Sequence, residues 1–445
     1  MRVVPESLDD WLAYQTQVHS QTIDLGLARL RTVLERLRWR QPTVPVITVA
    51  GTNGKGSVAA YSSAILSAAG RRVGAFTSPH LRDYRERIRV DDRLVTTEEL
   101  LGAFGKIEAA RGEVPLTFFE YNTLAALLIF EGAELDALVL EIGMGGRLDA
   151  VNVVDPSVAV VVSIGFDHQQ YLGTTLESIG AEKAGIFRSS KPAVLGSRRM
   201  PAVLERTART LGAPLKRLGA EFDYERGEMR WRYRGTRWDL KDLAPPGLFG
   251  DAQYDNAATA IAALEELEPR LGVGPDVLAR AVASTRLAGR FQVIAAANHA
   301  RPVWVLDVAH NADAARVLAH NLAAQSVQGR TLGVCGILAD KDAAAIIAEM
   351  QGCIDEWWFA STEGARGSSG SALAARLAPQ LQTPLHACAD IPAACAAAAA
   401  AATSDDRIVV FGSFHSVGPA LDWLESHDML PSATSSEYTP ARVGS

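Results

Sequence analysis

The sequence predicts an α/β protein of two domains, each built on a mostly parallel sheet covered by helices. Short apolar, strand-like runs alternate with helical segments along nearly the whole chain, which is typical of parallel sheets. The 445 residues are more than a single core usually holds. A glycine-rich stretch, GTNGKGS, separates one apolar run from one helical segment, and this order of elements is suited to binding an anion.

Eight strand-like runs support the first observation. Four lie in the first half of the chain, VPVITV, RVGAFT, DALVLE and VAVVVSIG, and four in the second, VWVLDV, TLGVCG, EWWFA and RIVVFG. Between the two sets, YERGEMRWRYRGTRWDLKDL alternates polar residues with Trp and Tyr, which predicts a hairpin or a small antiparallel sheet. LAPPGLFGDAQ then leads into an amphipathic helix. The alanine tract AACAAAAAAAT predicts a packed surface helix, because alanine is the strongest helix former.

The domain boundary is expected near residues 287–300, where LAGRFQVIAAANHARP changes the character of the sequence. We predict an N-terminal domain over residues 1–289 and a smaller C-terminal domain over residues 290–430. Beyond them, PSATSSEYTPARVGS is rich in Ser, Thr and Pro, so residues 431–445 are expected to form a disordered tail.

Composition and charge exclude several classes of protein. With 48% hydrophobic and 21% charged residues, the chain has the composition of a soluble globular protein. A net charge of −7 gives no general attraction to nucleic acid or to an anionic membrane. No apolar run reaches the length of a membrane span, and MRVVPESLDDWLAY lacks signal-peptide character. The four cysteines have no metal-binding spacing, so we predict buried free thiols in a reducing cytoplasm: Cys335, Cys353, Cys388 and Cys395.

The GTNGKGS loop departs from the usual spacing of a Walker A phosphate loop. A valine stands where that pattern needs a glycine, and Gly56 separates Lys55 from Ser57. The physical requirements remain, because Gly51, Gly54 and Gly56 allow backbone N–H groups to turn toward an anion at the start of the following helix. We predict that Lys55 supplies a charge for the outer phosphates and Ser57 a hydroxyl for Mg²⁺. The alternative is a glycine-rich turn without a ligand.

Polar residues that follow strand-like runs in the first half are further candidates. Glu141 ends DALVLE, and Asp167 and His168 follow VAVVVSIG. A carboxylate directly after a strand and beside a glycine loop suits Mg²⁺, but it also suits a helix cap or a salt bridge. Taken by itself, His168 is better explained as a hydrogen-bonded core histidine than as a ligand, and Lys183 in ESIGAEKAGIF as an exposed helix lysine.

The second half offers a comparable set. Asp307 follows the run VWVLDV, with His310 and Asn311 beyond it, and an acid in this place commonly holds ribose hydroxyls. Arg290, in RLAGRF, could reach a phosphate or could be a surface charge. FGSFHSVG contains His415, but its Gly and Ser residues are also explained by a turn, so no catalysis is assigned to it.

A series of motifs occurs in a characteristic order: AGTNGKGS, SPHL, LTFFEYNTLAAL, LEIGMGGRLDA, DHQQYLG, EKAGIF, PGLFGDAQYDNAATA, GRFQVI, DVAHN, GILADKD and FGSFHSVG. Together they resemble the folylpolyglutamate synthases, members of the Mur ligase superfamily of ATP-dependent, amide-bond-forming enzymes. The resemblance runs from about residue 5 to about residue 425. HSQTIDLGLARL and LTFFEY are most similar to the bacterial bifunctional form, which makes dihydrofolate from dihydropteroate and also extends folates with glutamate.

The resemblance implies a P-loop-type N-terminal ATPase domain and a smaller Rossmann-like C-terminal domain. It implies that Asn256 contacts the adenine end of ATP, Arg290 the terminal phosphate and Asp307 the ribose. The complete set of implied ATP-binding residues is Gly51, Thr52, Asn53, Gly54, Lys55, Gly56, Ser57, Asn256, Arg290, Asp307 and His310.

The same resemblance implies two Mg²⁺ ions. Ser57 and Glu141 would hold one, and Glu141 and His168 the other, with Lys183 as a further ligand in carbamylated form. Addition of CO₂ to a neutral lysine amine creates a carboxylate-like ligand, whereas an ammonium would be repelled by the metal. Together with Lys55, the residues Glu141, His168 and Lys183 are the expected catalytic set. The implied acceptor-binding residues are Asp24, Ser78, Pro79, His80, Thr117, Phe118 and Phe119.

The expected activity is a two-step ligation. ATP phosphorylates the carboxylate of dihydropteroate or of the terminal glutamate on a reduced folate, and L-glutamate attacks the acyl phosphate, releasing phosphate alongside ADP. We expect a cytoplasmic monomer whose partners are these small molecules, with neither nucleic acid nor membrane. The alternatives are a folylpolyglutamate synthase only, a Mur-type ligase with another carboxylate acceptor, and a nucleotide-binding protein without ligase activity.

Three motifs depart from the family: Ala312 replaces a proline, GARG at residues 364–367 replaces GPRG, and DHQQYLG replaces DHTDWLG. The contacts to glutamate therefore stay open.

Overall fold

A computed structural model of the chain describes residues 5–268, 270–295, 301–364 and 366–430. The chain divides into two compact units. Unit 1 takes in the residues up to Gly247 together with Ala252–Arg286, and unit 2 takes in Leu248–Asp251 and the residues from Leu287 onward. The chain therefore passes from one unit to the other three times. The predicted tail, residues 431–445, and Ala365 of the GARG motif lie outside the described residues.

Unit 1 is built on an eight-stranded sheet. Its strands are β1 (Val46–Ala50), β2 (Val73–Phe76), β3 (Ile88–Val90), β4 (Arg93–Leu94), β5 (Ala137–Glu141), β6 (Val158–Val161), β7 (Ala193–Leu195) and β8 (Leu215–Arg217). Their order across the sheet is β4-β3-β2-β5-β1-β6-β7-β8. From β2 to β8 neighbouring strands are parallel, and β3 and β4 add an antiparallel edge. Strands β1 and β5 lie at the centre and are buried along their whole length.

Helices cover this sheet, and several begin at side-chain caps. They are α1 (Leu8–Val18), α2 (Ala28–Leu37), α3 (Lys55–Ala68), α4 (Thr97–Arg111), α5 (Phe118–Glu131), α6 (Gln169–Leu172), α7 (Leu176–Ala184), α8 (Ala202–Leu211), α9 (Ala252–Glu265) and α10 (Pro275–Ser284), with 3₁₀ turns at Tyr84–Arg87 and Ala150–Val153. Thr96 and Thr117 cap α4 and α5, each in a reciprocal capping box with a glutamate three residues later. Such caps fix where each helix starts.

A three-stranded antiparallel sheet completes unit 1. Its strands are β9 (Asp223–Arg226), β10 (Trp231–Arg234) and β11 (Asp239–Leu243), in the order β11-β10-β9. Trp231 and Tyr233 of the central strand are buried, as alternation of aromatic and polar residues requires. The prediction of a small antiparallel sheet is confirmed.

Unit 2 has a six-stranded sheet. Its strands are β12 (Gln292–Ile294), β13 (Val303–Leu306), β14 (Thr331–Cys335), β15 (Glu356–Ala360), β16 (Leu385–Cys388) and β17 (Arg407–Phe411). Their order is β12-β13-β17-β14-β15-β16, parallel throughout except for β12. The helices are α11 (Ala312–Ala324), α12 (Ala343–Met350), α13 (Gly370–Leu377), α14 (Ile391–Ala401) and α15 (Phe414–Ser426), with a 3₁₀ turn at Ala378–Gln380.

The predicted fold class is confirmed, since each of the eight strand-like runs contains a strand of one of the two sheets. The alanine tract forms α14 and buries Ala394 and Ala398. The cysteines are all free, as predicted, but Cys353 and Cys388 are only half-buried, so the prediction of burial is wrong for these two. Within the described residues, no helix is both long enough and apolar enough to cross a membrane.

Candidate active site

The GTNGKGS loop joins β1 to α3, as the sequence predicts. Gly54 is the residue before α3 and has a φ of 87°, a left-handed conformation that favours glycine. A Cβ at Gly54 would lie 2.6 Å from Oδ1 of Asn256, a residue of α9. The loop therefore needs glycine here both for its backbone and for space, and the structure places the Asn256 carboxamide beside the start of α3.

The first half of the loop is fastened to the residues that follow β6. The Thr52 backbone N–H donates to the carbonyl of Ser163 at 2.9 Å, and the Asn53 N–H donates to the Ser163 hydroxyl at 3.0 Å. The Thr52 hydroxyl donates to the Gly165 carbonyl at 3.2 Å. These bonds occupy the donors at the start of the loop. The N–H groups of residues 55–57, in the first turn of α3, lack intrahelical acceptors and are the ones suited to an anion.

Two lysines converge on one carbonyl oxygen of this loop. Lys55 Nζ donates to the Gly51 carbonyl at 3.1 Å and to the Thr52 carbonyl at 3.2 Å. Lys183 Nζ, from α7, donates to the same Gly51 oxygen at 2.9 Å. The GTNGKGS loop and α7, which are distant in sequence, are thus joined at one carbonyl oxygen.

Lys183 is buried, with 4% of its surface exposed, so its interpretation as an exposed helix lysine is wrong. Burial lowers the pKa of Lys183 to about 7, and the neighbouring charge of Lys55 acts in the same direction. The carboxylates of Asp167 and Asp149 act in the opposite direction. A lysine amine in this environment is neutral in a large share of molecules at neutral pH, and a neutral amine is a nucleophile.

Glu141 and His168 lie at the same edge of the sheet as the loop. Glu141 is the last residue of β5, pairs in register with Val49 of β1, and is 4% exposed. One of its carboxylate oxygens accepts the Ser78 N–H at 3.2 Å. His168 caps α6 with a φ of 51°, and its Nε2 lies 3.8 Å from Asp167 Oδ2. Its side chain is 22% exposed, so it is not a core histidine.

The predicted metal ligands do not form a preformed cage. Within the described residues there is no group of three or more His, Cys, Asp or Glu side chains that could hold a metal ion. The predicted set contains only two such residues, Glu141 and His168, together with the buried hydroxyl of Ser57 and with Lys183. This donor set fits Mg²⁺, which is usually bound by one or two carboxylates in company with substrate phosphates and water.

Asp149 belongs to the same region, and sequence reasoning missed it. It is 2% exposed, and its carboxylate accepts the backbone N–H groups of Met144 at 2.8 Å and Val151 at 3.0 Å. Burial raises the pKa of Asp149 to about 7, against the opposing effects of these hydrogen bonds and of Lys55. The motif GMGGRLDA contains this acid but gives no local sign of its burial.

The predicted acceptor-binding residues fall into two connected groups in unit 1. In the first group, Arg29 joins Asp24 to the start of α5. Its Nη1 donates to Asp24 Oδ2 at 2.6 Å and its Nε to Glu120 Oε1 at 3.3 Å, while Glu120 accepts the Thr117 N–H at 2.8 Å. His19 Nε2 lies 3.2 Å from the same Asp24 oxygen. The Asp24 carboxylate is therefore held in place by Arg29 and lies beside the imidazole of His19.

The second group contains His80 and the two phenylalanines that open α5. Phe118 and Phe119 are only half-buried. The Phe119 ring lies 5.9 Å from that of Phe76, and a Cβ at Gly143 would approach it to 2.5 Å. Ser78, beside His80, is bonded to Glu141 and precedes Pro79 through a cis peptide bond. Partly exposed aromatic rings thus lie near the predicted metal ligand.

In unit 2, the structure brings together the residues that follow β13 and precede β12. Asp307 accepts the N–H groups of Phe291 and Ala309, both at 2.8 Å, and burial raises its pKa while Arg290 opposes this. The Arg290 guanidinium lies 5.2 Å from the ring centroid of Phe414. His310 lies near the same ring, and its Nδ1 is 2.9 Å from the Val308 carbonyl, so that nitrogen carries the proton.

The loops that carry GILADKD and GARG also meet in unit 2. Arg366 Nε donates to Asp340 Oδ1 at 3.0 Å, and the Ala339 N–H donates to the Arg366 carbonyl at 2.9 Å. The arginine of the altered motif is therefore engaged by a neighbouring loop. The pairing identifies no contact to glutamate, so those contacts stay open.

Comparison with known proteins gives a consistent result. The Mur ligase middle domain matches residues 49–264, and the Mur ligase glutamate ligase domain matches residues 289–414. The dihydrofolate synthase/folylpolyglutamate synthase of Escherichia coli K12 is 41% identical over 419 residues, which cover 94% of this chain and 96% of that protein. The protein of the same name from Haemophilus influenzae is 36% identical, with coverages of 92% and 96%.

Solved structures agree with these relatives. The Escherichia coli FolC in complex with DHPP and ADP has a TM-score of 0.90 at 40% identity, covering 96% of this chain and all of that one. The bifunctional folylpolyglutamate synthase/dihydrofolate synthase of Yersinia pestis with AMPPNP and a Mn ion has a TM-score of 0.86 at 40% identity, with coverages of 96% and 100%. A structure described in the same terms, with Mn, AMPPNP and L-glutamate bound, has a TM-score of 0.86 at 40% identity, with coverages of 95% and 100%.

Proposed function

The chain belongs to the dihydrofolate synthase/folylpolyglutamate synthase family of Mur ligases, and from this membership we propose its reaction. The protein is an ATP-dependent ligase that forms carbon–nitrogen bonds. It joins L-glutamate to dihydropteroate, giving dihydrofolate, and to the γ-carboxylate of reduced folates, through an acyl phosphate. The observation that carries the proposal is the convergence of Lys55 and Lys183 on the Gly51 carbonyl of a phosphate loop.

Lys55 and the start of α3 are proposed to bind the phosphates of ATP. The ammonium of Lys55 rests on two neutral carbonyl oxygens, and a phosphate oxygen is a stronger acceptor because it is charged. We therefore infer that Lys55 turns from these carbonyls to the phosphates when ATP binds. The N–H groups of residues 55–57 add the positive end of the α3 dipole.

Divalent metal use is supported by the Mn-bound relatives, and we propose Mg²⁺ as the ion for this chain. Ser57 and Glu141 would hold one such ion, and Glu141 and His168 a second, with carbamylated Lys183 as a further ligand. When bound, Mg²⁺ would reduce the negative charge that builds up on the transferring phosphoryl group. The role of the chain itself is to keep Glu141 buried beside the loop, where its carboxylate accepts the Ser78 N–H.

Lys183 is proposed to carry a carbamate. Its amine has a pKa of about 7, so the neutral nitrogen is available to attack CO₂, forming an N–C bond and releasing one proton. The product is an anion in place of a cation, and it would place oxygen donors beside the phosphate loop. A buried ammonium next to Lys55 would instead oppose metal binding.

Arg290, Asp307, His310 and Asn256 are proposed to complete the nucleotide contacts. Asp307 is held rigidly by two backbone N–H groups, which suits a carboxylate that accepts hydrogen bonds from ribose hydroxyls. Each contact predicts a higher KM for ATP when the side chain is removed.

We also propose that the protein works as a cytoplasmic monomer. Light scattering of the purified protein would measure its oligomeric state.

The decisive experiment is glutamate-dependent ADP release by the purified protein with Mg²⁺, offering dihydropteroate and tetrahydrofolate in separate reactions. Turnover of both acceptors is expected. Turnover of tetrahydrofolate alone would reduce the protein to a folylpolyglutamate synthase. If neither acceptor stimulates ADP release, the acceptor assignment is wrong, and ADP release without any acceptor would indicate an ATPase.

A further inference from the structure

Arg87 is a nearly buried arginine that the mechanism above does not use. It lies at the end of the 3₁₀ turn before β3 and is 8% exposed. Its guanidinium carbon lies 5.7 Å from the ring centroid of Tyr84 and 5.5 Å from that of Phe118. Burial lowers the pKa of Arg87, and the charges of Glu141 and Glu86 oppose this. A charged group in such a place is costly unless its donors are used.

One donor of Arg87 is used by His80. The Nε–H donates to His80 Nδ1 at 2.8 Å. Since a guanidinium has donors and no acceptor, Nδ1 must present its lone pair, and the proton of the neutral imidazole lies on Nε2. Arg87 therefore fixes both the orientation and the tautomer of His80, one of the predicted acceptor-binding residues.

The two terminal nitrogens of Arg87 have no hydrogen-bond acceptor among the described residues. The two acidic groups whose charges act on Arg87 both accept backbone hydrogen bonds. Glu86 accepts the backbone N–H groups of the SPHL-containing loop at residues 81–83, at 2.8 to 3.1 Å, and Glu141 accepts that of Ser78. Four N–H donors of a group more than nine-tenths buried thus remain for a molecule outside the chain.

The surroundings of these donors indicate which molecule. The guanidinium is flanked by Phe118, which opens α5 beside Thr117 and Phe119, and it holds His80. These are the residues predicted to bind the acceptor, and half-exposed aromatic rings next to fixed donors suit a flat heteroaromatic acid. The ATP phosphates, in contrast, are assigned to the Lys55 loop.

We propose that Arg87 is a recognition residue for the acceptor substrate, whose terminal nitrogens bind a carbonyl or carboxylate oxygen of that molecule while its Nε positions His80. This inference rests on the proposed function. Arg87 would contact the acceptor directly, and it would also hold His80 so that the Nε2–H of His80 is available as a second donor. Both effects act on binding of the acceptor and not on binding of ATP.

The test compares Arg87→Met, Arg87→Lys and the control Arg89→Met. Arg89 lies two residues further along the chain, in β3, and is exposed, and its Nη1 donates to the Asp92 carbonyl at 3.1 Å. In Arg87→Met, the KM for dihydropteroate should rise about ten- to a hundredfold, the range for losing hydrogen bonds to a charged group. The KM for ATP should change less than about twofold, because both proposed effects of Arg87 act on binding of the acceptor and not on binding of ATP. The KM of Arg87→Lys for dihydropteroate should fall between that of the wild type and that of Arg87→Met, because lysine keeps the charge and loses the fork geometry. Both KM values of Arg89→Met should match those of the wild type.

Thermal unfolding without ligands separates recognition from a structural role. Removal of an unpaired buried charge should leave the Tm of Arg87→Met equal to or above that of the wild type. A clear fall in Tm with equal rises in both KM values would overturn the proposal, as would an unchanged KM for dihydropteroate.

The affinity for pteroate, measured by calorimetry without ATP, keeps the two proposals distinguishable. If the wild type binds pteroate but does not release ADP, the ligase function fails while Arg87→Met still tests recognition. If the wild type binds no pteroate, the recognition role of Arg87 is overturned directly.

Discussion

Replacement of Lys183 by methionine should change the stability of the protein in a way that depends on pH. The lysine is 4% exposed, and burial lowers its pKa from 10.5 to about 7. The unfolded chain therefore holds the lysine proton more strongly than the folded protein. Methionine has a similar length and no charge, so it removes this difference while still filling the space.

The sign follows from where the proton is bound. Below about pH 7 both states of the wild type are protonated, and the full penalty of the buried ammonium opposes folding. As the pH rises from about 7 toward 10.5, the folded lysine is neutral while the unfolded lysine is still charged, so the penalty declines. The lowering of the pKa corresponds to at most about 5 kcal/mol. Against this, methionine loses the bond to the Gly51 carbonyl, about 1 kcal/mol at every pH.

The assay is urea unfolding of metal-free protein in buffers freed of CO₂, at intervals from pH 6 to pH 10. Lys183→Met should be more stable than the wild type by a few kcal/mol at pH 6, and this advantage should vanish or reverse by pH 10. Lys106→Met, at an exposed position of α4, is the matched control and should show no trend. A difference between Lys183→Met and the wild type that stays constant across the range would refute the reasoning.

Three further outcomes test the phosphate loop and the carbamate. Lys55→Ala should slow glutamate-dependent ADP release by about a hundredfold or more, because a preorganised charge at the transferring phosphoryl group is lost; full activity would exclude that role. Gly54→Ala should lower the Tm, because its Cβ would meet Asn256 Oδ1 at 2.6 Å with a φ of 87°. Gly105→Ala should leave the Tm unchanged, because a Cβ at Gly105 would have nothing within 4 Å. Equal effects of the two substitutions on the Tm would contradict the steric argument. Lys183→Ala should be inactive in the same assay and partly restored by acetate or formate, and failure of every short carboxylate to restore activity would count against the carbamate.

The sequence predicted the elements well because their signals are local. Apolar runs of five to eight residues predicted strands of the two larger sheets. The turn at GTNGKGS was also predicted locally, since Gly54, Lys55 and the helix that follows occupy adjacent positions. The family resemblance then supplied candidates such as Glu141 that strand ends alone left ambiguous.

Only the tertiary structure decided which of these side chains are buried and what they contact. Lys183 meets Gly51 across 132 residues of sequence, and no local pattern separates it from an exposed helix lysine. Arg87 is close to His80 in sequence, but its burial depends on Phe118, which α5 brings from a distant segment. Asp149 likewise becomes a weak acid only through its surroundings. The sequence by itself determined the α/β fold class and the glycine-rich turn between β1 and α3, because backbone conformation and apolar periodicity act over a few residues. The protonation of Lys183 and Asp149 and the surroundings of Arg87 could be inferred only from the tertiary structure, because desolvation and charge depend on every group packed around a site.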